Sequence, residues 1–176
     1  MNKFALCVAF TFDEEKGYAN VSNDPGGPTN MGIIQDTLDA ARVKYPELGL
    51  PLYVKYLTKA QAREIYRLEY WNEIRGDELP LYLAQAVFDA CVNTRMAKVV
   101  KWLQYTVGVT PDGNIGPKTI AAAKKVNPKK ALEEFHARRS FNFMLQDDID
   151  DTFGLGWGRR LIRIHNQCTS LAELGV

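Results

Sequence analysis

Three side chains suited to acid catalysis and its support fall between positions 15 and 29, in the stretch DEEKGYANVSNDPGGPTNMGI that runs from Asp13 to Ile33. They are Glu15, Asp24 and Thr29. Glycoside hydrolysis needs one carboxylic acid to protonate the leaving oxygen. A second carboxylate often steadies the oxocarbenium-like state or activates water. The acid must keep its proton near neutral pH, which suits the edge of a partly apolar pocket. A glutamate ending an apolar helix and facing a loop with Asp and Thr meets that demand. The plainer reading is a helix end followed by a turn, and spacing alone does not choose between them.

The elements that must position these residues are mostly helical. Residues from about Lys3 to Glu15 read as an apolar helix that Gly17 ends. Residues 18–33 carry Asn20, Asn23, Asp24, Pro25, Gly26, Gly27 and Pro28, turn chemistry for a loop or a short β-hairpin. A helix follows from about Gln35 to Tyr45. Thr58 with Gln61 is a capping box that opens another, running to about Ile74. The segment from Leu81 to Val92 is apolar nearly all round and reads as a central buried helix whose single charge, Asp89, must find partners such as an arginine. Helices follow around Val99–Val107, after Gly116 and Pro117, from Pro128 to about Gln146 and from Leu155 to about Leu174. The acidic link DDIDDTFG reads as a solvated loop between the last two. The fold class is predominantly α.

The totals bound the function. A 176-residue chain with 46% hydrophobic residues and a formal charge of +1 has a full core and lacks the basic excess of a nucleic-acid binder. Cys7, Cys91 and Cys168 are odd in number and set in apolar segments, as expected of buried thiols in a reducing compartment. The N-terminal MNKFALCVAFTF runs into three acids without a small-residue cleavage site, so a cytosolic product without a signal peptide is expected. No segment reaches the length of a membrane span, and no stable membrane insertion is expected. His136 and His165 lack neighbours with ligand spacing. No metal or cofactor is expected, and neither a zinc peptidase nor a Cys/His nucleophile can be assembled.

E-K-G-Y-A-N…D-P-G-G-P-T-N-M-G-I resembles the E-G-G-Y-x-N…D-P-G-G-x-T-N-x-G-I motif of the glycoside hydrolase family 108 N-acetylmuramidases, phage endolysins and related bacterial proteins with a lysozyme-like helical fold. Tyr70-Trp71, Leu79-Pro80, Phe88-Asp89 and Val92-Asn93 resemble the family's Y-W…L-P…F-D…V-N series. Leu103-Gln104, Gly108-Val109 and DGNIGPKTIAA resemble its C-terminal peptidoglycan-binding region, and Gly156-Trp157 with Arg160 a late G-W…R element. Lys16 departs from the family's first glycine, and Arg95 and Met96 from its small residues. The spacing of Glu15, Asp24 and Thr29 is also similar to the Glu-x8-Asp-x5-Thr of phage lysozymes, with one residue fewer before the threonine.

The resemblance implies a catalytic region over 1–97 and a peptidoglycan-binding-like helical region over 98–176 that shares one core with it. It implies hydrolysis of the β-1,4 bond between N-acetylmuramic acid and N-acetylglucosamine, with Glu15 as general acid and Glu14 outside the motif. Asp24, helped by Thr29, would stabilise positive charge or orient water. Tyr18 and Asn30 are candidates for contact with sugar hydroxyls or N-acetyl groups, or for bracing the loop. Gly27 is a candidate for close approach of backbone to substrate, and Tyr70 and Trp71 for stacking on sugar faces, although aromatics at helical spacing are more often core. The implied partner is the peptidoglycan glycan strand, bound by a monomer made in the host cytoplasm and released to the wall with a holin as indirect partner. The alternatives are a lytic transglycosylase using the same glutamate, and a wall-binding or secretion-associated protein without turnover.

Overall fold

The computed structural model describes residues 2–15, 17–19, 27–145 and 151–175; Lys16, Asp24, Gly26 and residues 146–150 lie outside them. The chain forms two compact units, Asn2–Glu69 and Tyr70–Val176.

In the first unit, α1 (Lys3–Glu14) is capped by Asn2, whose side chain accepts from the Ala5 N–H. Its buried face, Phe4, Cys7, Val8 and Thr11, repeats at helical spacing. The helix stops one residue earlier than the sequence suggests. Glu15 is its extended C-cap, and the Glu15 N–H closes the last turn on Thr11 O at 2.9 Å. Three two-residue strands follow, β1 (Tyr18–Ala19), β2 (Thr29–Asn30) and β3 (Ile33–Ile34), in an antiparallel sheet of order β1-β2-β3. Asn30 pairs with Ile33, leaving Met31 and Gly32 as a two-residue turn. Both have positive φ, +51° and +76°, the type I′ geometry that matches strand twist.

The hairpin continues directly into α2 (Gln35–Lys44). Two short 3₁₀ turns, Pro46–Leu48 and Val54–Tyr56, lead to α3 (Lys59–Tyr66). Both halves of the Thr58–Gln61 capping box are present. The helix expected to reach Ile74 instead widens into a π-helical segment, Arg67–Trp71, within which the two units divide.

In the second unit, every residue from Leu81 to Cys91 of α4 (Leu81–Asn93) is buried. Helices α5 (Met96–Val107), α7 (Pro128–Met144) and α8 (Asp151–Glu173) pack around it, and the short α6 (Pro117–Ala123) packs on α5. The last helix begins at Asp151, so the acidic link is shorter than the sequence suggests. Asp89 has the arginine partners expected of it. Arg139 Nη1 lies 2.6 Å from one carboxylate oxygen and Arg160 Nη2 2.8 Å from the other. Burial pushes the Asp89 pKa up, but the two guanidiniums outweigh it and hold the carboxylate below its usual range. Gln104 organises the TPDGNIGPKT turn by donating to Asp112 and the Asn114 carbonyl and accepting from the Gly113 N–H. All three cysteines are buried, and burial drives the Cys91 thiol far up.

Predominantly α, the chain has one small sheet among the described residues.

Candidate active site

The C-cap of α1 places the Glu15 side chain, half-buried, against the I′ turn between β2 and β3. A Cβ built on Gly32 would lie 2.9 Å from both Cγ and Cδ of Glu15 and 2.5 Å from the Tyr66 hydroxyl oxygen. Glu15 and Tyr66 are therefore neighbours over a glycine that has no room for a side chain. Its positive φ favours glycine as well.

The surroundings fix this arrangement from several sides. The Tyr66 hydroxyl donates to the Met31 carbonyl at 2.9 Å, tying α3 to the turn. The Met31 N–H donates to Gly17 O at 3.1 Å, tying the turn to the chain that leaves Glu15. Phe12 meets the Tyr66 ring edge to face at 5.8 Å, and the Lys59 ammonium lies 5.0 Å from the Phe12 ring centre. A carboxyl group is thus held beside a tyrosine hydroxyl and the Met31–Gly32 turn at the end of a helix. That environment suits a proton donor to a substrate oxygen.

The sheet gathers several of the sequence candidates and separates others. Thr29, half-buried, pairs with Ala19 and Ile34, and Tyr18, largely exposed, pairs with Asn30. Gly27 has a φ of +67° and open space where a side chain would be. Asp24 falls outside the described residues. Asn30 is buried, and its amide nitrogen donates to the carbonyls of Val54 at 3.0 Å and Leu57 at 3.3 Å. With both amide protons engaged, this side chain braces the Val54–Tyr56 turn.

Tyr70 and Trp71 belong to the second unit. Tyr70 is half-buried. Trp71 is 0% exposed, edge to face with Phe88 at 5.8 Å, and Gly76 lies so close that a Cβ there would be 2.5 Å from the indole. Its ring has no face open to a sugar, so the stacking role considered for it gives way to a core role. Nothing in the helical spacing of Tyr66 on α3 indicates that its hydroxyl reaches the turn beside Glu15. Among the described residues no cluster of three or more His, Cys, Asp or Glu is placed to hold a metal ion.

Residues 8–94 match the family model described as Glycosyl hydrolase 108, and residues 98–162 match the one described as Predicted Peptidoglycan domain. Among solved structures the chain is similar to SagA of Brucella abortus. The two are 37% identical with a TM-score of 0.83, over 96% of this chain and 94% of that one. No curated protein sequence matches.

Proposed function

Because this chain belongs to the glycosyl hydrolase 108 family, a membership that makes it a glycoside hydrolase acting on peptidoglycan, we propose that it is an N-acetylmuramidase of the lysozyme type with Glu15 as general acid. The bond cut is the β-1,4 link from N-acetylmuramic acid to N-acetylglucosamine. Glu15 passes its proton to the glycosidic oxygen as the bond to the anomeric carbon breaks, and charge develops on the muramyl ring. Asp24 steadies that charge or orients the attacking water, with Thr29 on β2 holding the water. The observation that carries the reading is the placement of the Glu15 side chain against the Met31–Gly32 turn, beside the Tyr66 hydroxyl. The family motif and the end of the helix thus coincide on one carboxyl group. In the cell the protein acts as a phage endolysin. It accumulates in the host cytoplasm as a monomer and reaches the wall once a holin has opened the membrane.

The test is digestion of purified peptidoglycan by the protein and by Glu15→Gln, with the new ends identified by mass spectrometry. The amide keeps the shape of the side chain and cannot donate the proton, so new reducing N-acetylmuramic acid ends are expected from the native protein and none from the variant. Anhydro ends mean a transglycosylase. Glycan ends formed at the native rate by Glu15→Gln remove Glu15 from the mechanism, and binding without products leaves a wall-binding protein.

A further inference from the structure

The loop after α2 presents its aromatic side chains outward. Tyr53 is 55% exposed and Tyr56 63% exposed, yet the rings are ordered against each other, edge to face with centres 6.5 Å apart. Between them in sequence, Lys55 places its ammonium 4.7 Å from the centre of the Tyr56 ring and 5.8 Å from that of Tyr53. Leu52, also mostly exposed, extends the apolar surface. Three exposed large apolar side chains, Leu52, Tyr53 and Tyr56, in one short loop mark a surface suited to a partner.

The backbone beneath is pinned by buried or half-buried amides. Asn30 of β2 holds the carbonyls of Val54 and Leu57. Gln35, at the start of α2, accepts from the Val54 N–H at 2.9 Å and donates to the Leu52 carbonyl at 2.9 Å. Asn30 is two residues before Gly32, against which Glu15 packs, so their Cα atoms lie within about 8 Å. The β2–β3 hairpin therefore packs against the proposed acid, at Gly32, and braces the base of the aromatic loop, through Asn30.

We propose that Tyr53, Lys55 and Tyr56 form a substrate-binding platform that takes a peptidoglycan strand. The tyrosine rings pack on the apolar faces of N-acetylated sugars, and Lys55 pairs with a carboxylate of the attached peptide stem. The inference rests on the muramidase reading and adds a subsite to it. The chemistry matches in each part. A hexose offers a C–H face that a tyrosine covers while its hydroxyl stays wet. In an intact strand the lactyl carboxyl is tied up as an amide, so the free carboxylates next to the sugars belong to the stem. A lysine already held at the aromatic surface needs little reorganisation to meet one.

The experiment measures sedimentation with insoluble peptidoglycan, and KM and kcat on soluble glycan fragments, for Tyr53→Ala, Tyr56→Ala and Lys55→Met. Peptide-bearing strands are the substrate, and neutral chitooligosaccharides, which lack the muramyl bond, are the second ligand, for which binding alone is measured. Each tyrosine variant is expected to weaken binding of both ligands about tenfold, the scale of an aromatic contact residue, with kcat on the peptide-bearing strands kept. Lys55→Met is expected to weaken binding only to the peptide-bearing strands. Unchanged KM and sedimentation in both tyrosine variants, while the native protein still releases muramic acid ends, overturn the platform and leave the muramidase reading standing. Equal loss of binding to both ligands in Lys55→Met overturns the stem assignment. Absence of glycan products from the native protein, with tyrosine-dependent sedimentation retained, overturns the muramidase reading and keeps the platform as a wall-binding surface.

Discussion

Glu15 and Gly32, far apart in sequence, are in contact: a Cβ on Gly32 would come within 2.9 Å of the glutamate side chain. The glycine thus sets both the shape of the turn and the position of the carboxyl group. Gly32→Ala meets two penalties, the φ of +76° and collision with Glu15 and the Tyr66 hydroxyl. Gly27→Ala meets only the first, because its φ is +67° but its surroundings are open. The backbone penalty is about 1–2 kcal/mol in each. Gly32→Ala is expected to lose a further increment of stability and most of its activity, while Gly27→Ala keeps most of its turnover. Thermal unfolding and wall-lysis rates of the two variants, side by side, separate strain from collision. Equal activity in both would mean that the collision is relieved without moving Glu15.

Tyr66→Phe removes the hydroxyl that donates to the Met31 carbonyl and sits beside Glu15. The phenyl ring keeps its contact with Phe12. A lost part-buried hydrogen bond costs about 1 kcal/mol of stability. Activity is expected to fall by more than stability does, because the turn that supports Glu15 loses its tie to α3. A variant with native kcat and a slightly lower melting temperature would make Tyr66 purely structural.

Asp89 tests a different link, the core of the second unit. Its carboxylate is fully buried between Arg139, 1% exposed, and Arg160, 12% exposed. Asp89→Asn removes the anion and leaves two inward cations, which costs about 3–5 kcal/mol for a broken buried pair. Adding Arg139→Gln is expected to restore part of that loss. The pH dependence follows from the sign of the shift. The folded pKa lies below the ordinary 3.8, so the carboxylate's contribution is present above that value and is lost as pH falls through the folded one. Unfolding curves below pH 4 should therefore steepen for the native protein and not for Asp89→Asn.

Features that rest on local chemistry were readable in advance, and those that rest on distant partners were not. The Thr58–Gln61 box and the all-round apolar α4 follow from residues within a turn of one another. Asp89 was legible in kind, because a lone charge on an apolar helix requires a partner, but nothing local names Arg139 and Arg160. Trp71 misled because an aromatic on a helix reads the same whether it faces a sugar or Gly76. The third strand and the I′ turn were hidden because the strands have two residues each, too few to show alternation. Tyr66 and Asn30 matter through contacts made 35 and 24 residues away. No spacing rule reaches that far.

His136 on α7 and His165 on α8 share a hydrogen bond between their Nδ1 atoms at 2.9 Å, which requires one ring to donate and the other to accept. Burial, with the nearby positive Arg139 and then His165, pushes the His136 pKa down from 6.5 to about 3. A neutral folded histidine that is protonated when unfolded lowers stability as pH falls. The loss begins near 6.5 and is complete near 3. By pH 4 it is on the order of 3 kcal/mol, from about 1.4 kcal/mol per pH unit. Most of this window lies above 3.8, where the Asp89 loss starts, so between pH 6 and 4 the histidine is read by itself. His136→Gln keeps a partner for His165 and does not titrate. It is expected to match the native protein at pH 7 to within about 1 kcal/mol, a loss smaller than that of an emptied polar site. Between pH 6 and 4 its melting temperature should fall less than the native one. Parallel melting curves across that range would show that the acid sensitivity of this unit arises elsewhere than at the histidine pair.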